Sequence, residues 1–249
     1  MTIKTEYRDQ FQSREAAASY DAQYAQGGYA GLLDQVEKEI LRERIVTIRR
    51  THPGIDMLDF ACGTGRITAF LEALVDRSVG LDISPSMLER ARMNTARTEF
   101  VCGDLTTDPA LCPGPFDLIV TFRFVTNAGP QLREAALLRL RDRFRGKDSR
   151  LIFNVHRSIH SYLVLHWVMQ KLKRTAPDHD WHYMSIPEAH RLARRCGFEI
   201  ESLTGFGFLS SHIAGRLPSQ LALKIERLMS RIPGFNWFGS EFIAVCRPV

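Results

Sequence analysis

Three aspartates in the first half of the chain are the residues best placed to do chemistry. Asp59 and Asp82 end two short apolar runs, and Asp104 follows a third. A carboxylate roughly 20 residues after a glycine-containing turn can hold both hydroxyls of a ribose, and Asp82 stands at that distance from turn 61–65. Asp104 can accept a hydrogen bond from an exocyclic amine such as that of adenine. Three acids without a lysine predict a ligand with a ribose, an adenine and a positive charge but no phosphate.

The turn itself reads Ala61-Cys62-Gly63-Thr64-Gly65. Small residues at a strand-to-helix turn let a ligand approach the backbone, and N–H groups at the helix start can bind an anionic group. The turn lacks the third glycine of the dinucleotide fingerprint GxGxxG and the Gly-Lys-Ser/Thr of a P-loop. A turn that only packs a helix onto a sheet needs the same residues, so the turn alone leaves both roles open.

Short strands alternating with helices would position these acids. Apolar runs of strand type cover residues 57–60, 78–82, 98–102, 116–121, 151–155, 198–202, 206–209 and 242–246, with a bend or break at Gly205 and Gly207. Helical spacing covers 14–24, 32–48, 66–74, 85–91, 130–145, 186–196 and 218–232, and the last helix carries a stripe of Leu221, Ile225, Leu228 and Ile232. The alternation predicts a parallel sheet with helices on both faces. Right-handed crossovers bring the strand ends to one edge, so the three acids should share one crevice.

Five segments, in order, resemble motifs of the class I S-adenosylmethionine-dependent methyltransferases. Residues 58–65 (LDFACGTG) resemble the first motif, 80–88 (GLDISPSML) the second and 103–105 (GDL) the third. Residues 116–120 (FDLIV) resemble the fourth strand, and 197–199 (GFE) a turn that often precedes the sixth. Ala61 departs from the family, which more often has glycine there. If that position needs a positive φ, alanine is strained.

The resemblance implies a Rossmann-like three-layer sandwich. Its seven-stranded sheet would be mostly parallel with an antiparallel last strand. The single domain would comprise a helical arm (1–50), a cofactor-binding core (55–156), a helical lid insertion (157–185) and the C-terminal part of the sheet (186–249).

The resemblance also implies S-adenosyl-L-methionine as methyl donor, S-adenosyl-L-homocysteine as product, and no metal. The residues that it assigns to the cofactor are Asp59, Ala61, Cys62, Gly63, Thr64, Gly65, Asp82, Ile83, Met87, Gly103, Asp104, Leu105, Thr121 and Phe122. In the arm, Tyr20 and Tyr29 offer aromatic faces that suit a sulfonium, although packing on the core would use them equally well.

Methyl transfer from a sulfonium is an in-line displacement. Positioning supplies about 7 to 11 kcal/mol of the barrier, and a general base about 10²- to 10⁴-fold in rate. We expect His156 to be such a base with His160 behind it, and helix capping or pairing is the alternative role for each. Arg123 and Asn127 follow the fourth strand, near where an acceptor would lie. Arg123 would bind an anionic group of the acceptor or pair with an acid.

The apolar segment 158–174 bears on the substrate class. As a lid it would line the acceptor pocket with Tyr162 and Trp167, followed by His182 in the next loop, and would favour a bulky acceptor. Filling the core or contacting a second copy are the alternatives. Its basic end also suits a membrane surface.

Composition limits the functional classes. The chain has 249 residues, 45% hydrophobic and 24% charged, which is ordinary for one globular domain. Its five cysteines form no CxxC pair or Cys/His cluster, so they predict buried thiols rather than a zinc site. No apolar run approaches the ~20 residues of a membrane span, and the N-terminus lacks the apolar stretch of a signal peptide. We therefore expect a cytoplasmic protein.

The sequence thus predicts a monomeric or homodimeric methyltransferase that acts on a small-molecule, glycan or lipid-linked acceptor, at oxygen. The net charge of +5, much of it in helix 133–145, invites RNA methylation as an alternative. Residues 121–124 (TFRF) stand where an RNA enzyme would carry an Asn/Asp-Pro-Pro-Tyr type of motif, which argues against nucleic acid. A cofactor-binding partner subunit without catalysis is the third hypothesis.

Overall fold

The computed structural model describes residues 13–25, 28–156 and 184–249. Its seven strands are β1 (Asp56–Phe60), β2 (Arg77–Asp82), β3 (Glu99–Cys102), β4 (Leu118–Thr121), β5 (Arg150–His156), β6 (Phe198–Phe206) and β7 (Glu241–Pro248). They form one sheet in the order β3-β2-β1-β4-β5-β7-β6. Strands β1 to β5 pair in parallel, whereas β7 runs antiparallel to both β5 and β6. The predicted mixed sheet with its antiparallel last strand is confirmed.

Nine α-helices are found in these three ranges. They are α1 (Arg14–Ala25), α2 (Gly28–Arg49), α3 (Arg66–Leu71), α4 (Pro85–Asn94), α5 (Phe124–Asn127), α6 (Pro130–Arg141), α7 (Ile186–Arg195), α8 (Ser211–Ala214) and α9 (Ser219–Arg231), and a 3₁₀ helix covers Phe235–Trp237. None of the helices within these ranges is long and apolar enough to cross a membrane.

The helix starts follow from local capping. Ser84 Oγ accepts the N–H of Met87 at 3.2 Å at the start of α4. Ser185 and Glu188 form the predicted capping box of α7, in which the Ser185 N–H donates to Glu188 Oε2 at 2.7 Å. Each such cap satisfies N–H groups that have no partner inside the helix.

Two apolar layers cover the sheet. Successive side chains along a strand point to opposite layers. Leu58 and Ile119 face the layer of α6 and α7, while Met57 and Val120 face the layer of α2. Strand β4 is buried along its whole length. Full burial of such a side chain contributes about 1.5 to 3 kcal/mol, so the two layers fix the position of the strand ends.

Several expected boundaries need correction. Strand β6 runs unbroken through Gly205 with a bulge between Ile200 and Ser202, and it ends before Gly207, whose φ is +73°. Helix α6 ends at Arg141, since the backbone then turns to form a bridge between Phe116 and Phe144. Four cysteines are buried, but Cys102 is exposed because it ends β3 at the edge of the sheet.

Helix α9 buries a different face from its apolar stripe. Its buried residues are Ala222, Leu223 and Glu226. The carboxylate of Glu226 accepts the N–H groups of Gly207, Phe208 and Leu209 at 2.8 to 3.1 Å. These three hydrogen bonds compensate for burying the carboxylate and hold the helix against the end of β6.

The predicted lid insertion falls almost entirely on residues 157–183, which lie outside the described ranges. The lid, together with the division of the chain into arm, core and C-terminal part, therefore stays a prediction.

Candidate functional site

One cavity opens at the carboxyl edge of the sheet, where β1, β2 and β4 end. It holds about 1010 Å³ of empty space, including its open mouth. Of the residues predicted to bind cofactor or acceptor, those lining it are Tyr20, Asp59, Ala61, Cys62, Gly63, Asp82, Ile83, Met87, Gly103, Asp104, Leu105, Phe122, Arg123 and Asn127. The three acids therefore do share one crevice.

Asp82 joins two of the turns that form the cavity. Its Oδ2 accepts the N–H of Gly63 at 2.8 Å, and its Oδ1 accepts the N–H of Ser84 at 2.9 Å. Burial raises the pKa of Asp82, while these backbone N–H groups act in the opposite direction. Each carboxylate oxygen can accept a second hydrogen bond, so Asp82 can still bind ligand hydroxyls.

Asp59 lies deeper, at the floor of the cavity. Its Oδ2 accepts the hydroxyl of Thr68 at 2.6 Å. Burial raises the pKa of Asp59 to about 7, even though Thr68 and Arg66 act to lower it. The carboxyl group therefore exchanges its proton near neutral pH, and a cation close to it would favour the charged form.

The turn after β1 uses the left-handed backbone region three times. Ala61, Gly63 and Gly65 have φ values of 56°, 57° and 77°. Ala61 is therefore strained, because a residue with a Cβ is hindered at a positive φ. Space is open where a Cβ at Gly63 would lie.

Two of the N–H groups that were expected to bind an anion at this turn already have partners inside the protein. That of Gly63 donates to Asp82, and that of Gly65 donates to the carbonyl of Cys62 at 3.0 Å. Both donors are consumed inside the protein, which removes part of the basis for binding an anion here.

The third acid, Asp104, forms one flank of the cavity. Its Oδ1 accepts both the N–H of Thr106 at 2.8 Å and the hydroxyl of Thr106 at 2.6 Å. Met87 and Leu105 are buried beside it, whereas Ile83 is 36% exposed. An acid beside apolar side chains fits a flat ring that carries an amine.

Buried charges close the opposite end of the cavity. Arg123 lies 3.0 Å from Glu241 and 3.6 Å from Glu37, and Arg66 lies 2.8 Å from Glu37 and also pairs with Asp34. Burial acts to lower the pKa of each arginine, but the neighbouring carboxylates outweigh it and raise the pKa. Both guanidinium groups line the cavity and stay charged, although their charge is already compensated.

His156 belongs to this buried cluster and does not line the cavity. Its Nδ1 lies 2.8 Å from Arg123 Nη1 and 3.0 Å from Glu241 Oε1. Burial and then the charge of Arg123 lower the pKa of His156. Nδ1 thus faces both a donor, Arg123, and an acceptor, Glu241, and the tautomer of the neutral ring decides which contact is a hydrogen bond. A base at this position would need its lone pair on Nε2, with Nδ1–H donating to Glu241.

The N-terminal arm reaches the cavity through Tyr20. The rings of Tyr20 and Tyr24 lie 5.2 Å apart, and Arg66 stacks over the ring of Tyr24 at 4.4 Å. Tyr29 points elsewhere, since its hydroxyl donates to the carbonyl of Leu209 at 2.8 Å. Tyr29 therefore packs the arm onto the core rather than lining the cavity.

Three further predicted cofactor residues lie behind the cavity lining. Thr64 and Thr121 are fully buried. A Cβ at Gly65 would come within 3.2 Å of Ala91, so this glycine allows α3 to pack closely on α4. His160, Tyr162, Trp167 and His182 fall outside the described residues, and their roles stay predictions.

Sequence reasoning missed Arg66, Glu37 and Glu241. Glu37 had a local signal, because it is a charged residue within the apolar stripe of α2 between Val36 and Ile40. Arg66 and Glu241 had none, since an arginine after a turn and a glutamate before a strand are common on surfaces.

Taken together, the lining suits a nucleoside with a positive charge. Three carboxylates face it, and no lysine does so among the described residues. Its two arginines are already paired with acids, so a phosphate would find no uncompensated cation among them. No group of three potential metal ligands occurs within the described ranges.

The strain at Ala61 yields a stability prediction. Ala61→Gly should raise the free energy of unfolding by up to about 1 kcal/mol, because glycine adopts a positive φ without steric cost. Ala69→Gly, in the interior of α3, is the matched control and should lower it by about 1 kcal/mol. Denaturant titration measures both, and equal destabilisation by the two substitutions would contradict the assigned strain.

The raised pKa of Asp59 predicts a pH-dependent stability. Between about pH 4 and pH 7 the folded state holds a proton that the unfolded state has released, so stability falls as pH rises. Asp59→Asn retains an acceptor for Thr68 but cannot ionise. The free energy of unfolding of the variant, relative to the natural chain, should therefore rise by roughly 1.4 kcal/mol per pH unit in that window. Parallel pH curves for the two proteins would contradict this assignment.

Comparison with known proteins agrees with the fold and the site. Residues 57–145 match the family described as "Methyltransferase domain". A malonyl-[acyl-carrier protein] O-methyltransferase of Serratia marcescens is 33% identical over 94 residues, or 38% of this chain and 32% of that protein. A ribosomal protein L11 methyltransferase of Thermus thermophilus is 34% identical over 94 residues, or 35% and 36%. These matches span about a third of each relative's length.

Among solved structures, magnesium protoporphyrin IX methyltransferase from Synechocystis with bound SAH superposes with a TM-score of 0.66, covering 97% of this chain and 98% of that one. Its 15% identity makes this a likeness of fold. Sequence match, fold and the acids at the strand ends agree, and together they support a class I S-adenosylmethionine-dependent methyltransferase.

Proposed function

We propose that this chain transfers a methyl group from S-adenosylmethionine to an oxygen of a small-molecule, glycan or lipid-linked acceptor. One observation carries the proposal: Asp59, Asp82 and Asp104 meet a glycine turn in one cavity that holds no uncompensated cation for a phosphate among its described residues. The family supplies the reaction type, and the cavity supplies the fit of the donor.

Each part of the donor has a matching group in the cavity. Asp82 would accept the ribose hydroxyls with the lone pairs that its backbone partners leave unused. Asp104 would accept from the adenine amine, with Ile83 and Met87 against the ring. The open space at Gly63 would admit the methionyl part close to the backbone. When bound, S-adenosylmethionine would supply a methyl group on a positively charged sulfur.

The remaining task of the protein is to hold the acceptor in line. Phe122, Phe124 and Leu132 give the cavity an apolar flank next to Arg123 and Asn127. Alignment of the reacting groups is worth about 7 to 11 kcal/mol. An acceptor with a substantial apolar body and a hydroxyl group would use both kinds of side chain. The names of the relatives above indicate different acceptors. The proposed acceptor class therefore depends on the apolar flank of the cavity.

Loss of donor binding tests the proposal at Asp82. Asp82→Ala should weaken S-adenosylmethionine binding at least about tenfold, because hydrogen bonds to a charged group are worth about 1.5 to 3 kcal/mol each. Calorimetry measures the affinity. Asp76→Ala is the matched control: Asp76 also accepts a backbone N–H, that of Ile55 at 2.8 Å, but it does so at the opposite edge of the sheet. Unchanged affinity in a folded Asp82→Ala variant would contradict the proposal.

Turnover is tested with methyl-labelled S-adenosylmethionine and separated small-molecule, lipid and RNA fractions of a cell extract. We expect label in the small-molecule or lipid fraction. Label in RNA would support the rival hypothesis of RNA methylation. Donor binding without transfer to any fraction would favour a partner subunit that has lost catalysis.

We propose His156 as the general base. Its ring contacts limit how an acceptor could reach it. An acceptor hydroxyl would have to reach Nε2 of the tautomer in which Nδ1–H donates to Glu241. Because the pKa of His156 is lowered, the ring is neutral at neutral pH, and activity should fall only on acidification below its ordinary range. His156→Gln should lower kcat by about 10²-fold or more and abolish this acid limb. His190→Gln, on α7, is the control, and an unaltered pH profile in His156→Gln would assign His156 a structural role.

A further inference from the structure

Helix α9 carries an apolar face that the protein leaves exposed. Along this face Leu221, Leu228 and Ile232 are 45%, 65% and 38% exposed, with the half-buried Ile225 between them. These four residues recur at helical spacing, so they form one stripe. The buried residues of the helix, Ala222, Leu223 and Glu226, lie on a different side.

Aromatic residues follow directly after the stripe. The ring of Phe235 packs against those of Phe208 and Phe238 at 6.3 and 5.8 Å. Next to this cluster, Trp237 is 45% and Phe238 57% exposed. We call the stripe of Leu221, Ile225, Leu228 and Ile232, together with Trp237 and Phe238, the α9 surface.

The segment that carries the α9 surface has more basic than acidic residues. Residues 208–240 contain four basic residues, Arg216, Lys224, Arg227 and Arg231, and a single acid, Glu226. Glu226 is fully buried, whereas Arg216, Lys224 and Arg231 are exposed. The acids facing this segment from α2 are Glu39 and Glu43, which pair with Arg227 and Arg231. Arg216 and Lys224 therefore give the surface a cationic border.

The helix is held firmly behind this surface. Glu226 binds three backbone N–H groups of the segment after β6, and the two arginine pairs tie one flank to α2. An exposed apolar stripe on an anchored helix is a fixed feature of the fold. Single exposed apolar residues are normal, but a contiguous patch marks an interaction site.

The segment that carries the α9 surface begins and ends at the edge of the sheet where the cavity opens. The segment 207–240 leaves β6 after Phe206 and enters β7 at Glu241, and these two residues pair with each other. Glu241 also pairs with His156, the last residue of β5. The segment therefore projects from the carboxyl ends of β5 and β6, which is the edge where the cavity opens.

We infer that the α9 surface binds an anionic lipid bilayer. Apolar and aromatic side chains bordered by basic residues are the features with which a helix lies in the interface of such a membrane. A second copy of this chain fits less well, because, among the described residues, the α9 surface carries no unpaired acid that could face the cationic border of the other copy across a twofold interface. This inference is independent of methyl transfer.

The test is sedimentation of the full chain with vesicles. Phosphatidylcholine vesicles that contain phosphatidylglycerol should bind the chain, and pure phosphatidylcholine vesicles should bind it more weakly. Leu228→Ser and Phe238→Ser should each weaken binding about tenfold, since each removes an apolar group that would enter the membrane. Lys224→Gln should weaken it about fivefold, which corresponds to ~1 kcal/mol per basic residue.

Leu138→Ser is the matched control, because Leu138 is 46% exposed on α6. It should bind vesicles as the natural chain does. Absence of binding to anionic vesicles would overturn the inference, as would equal losses in Leu138→Ser and Leu228→Ser. A dimer in analytical ultracentrifugation that Leu228→Ser dissociates, without vesicle binding, would assign the surface to a second copy and also overturn it.

Discussion

The geometry of the site depends on the carboxylate of Asp82. One oxygen holds Gly63 in the turn after β1, and the other holds Ser84 at the start of α4. Hydrogen bonds to an ionised acceptor are about twice as strong as neutral ones, so this side chain joins two neighbouring turns although burial raises its pKa. Asp82 also lines the cavity. The group that shapes the site is therefore also the one that a ligand would meet.

The other end of the cavity is built from buried charges. Glu37 comes from α2 and Glu241 from the start of β7, and between them they compensate Arg66 and Arg123. Buried ion pairs contribute little net stability, but removal of one partner leaves an uncompensated charge at a cost of about 3 to 5 kcal/mol. The cluster thus acts mainly on geometry, because it couples α2 and β7 to Arg123, which follows the end of β4. Arg123 itself has a φ of +66°, a conformation that persists only when its surroundings determine it.

The features that could be predicted from the sequence are those that depend on neighbouring residues. Ser84-Pro85 and the Ser185 capping box mark helix starts, and the apolar runs mark strands whose right-handed connections bring the acids to one edge. The buried cluster was missed because Glu37 and Glu241 come from opposite ends of the chain, and only the folded sheet brings them together. His156 illustrates the same limit. Its position at the end of β5 could be predicted, but the contact of Nδ1 with Arg123 depends on a residue that follows another strand.

Helix α9 shows why periodicity alone cannot identify the face that is buried. Its strongest apolar stripe is exposed, while a face that contains Glu226 packs inward. Burying a carboxylate is costly unless hydrogen bonds replace its hydration, and here the three N–H groups after β6 do so. Those donors would themselves be unsatisfied if the helix turned its stripe inward. The hydrogen bonds between one buried carboxylate and the N–H groups of the segment after β6 therefore decide the orientation of the helix. The apolar stripe is left facing outward.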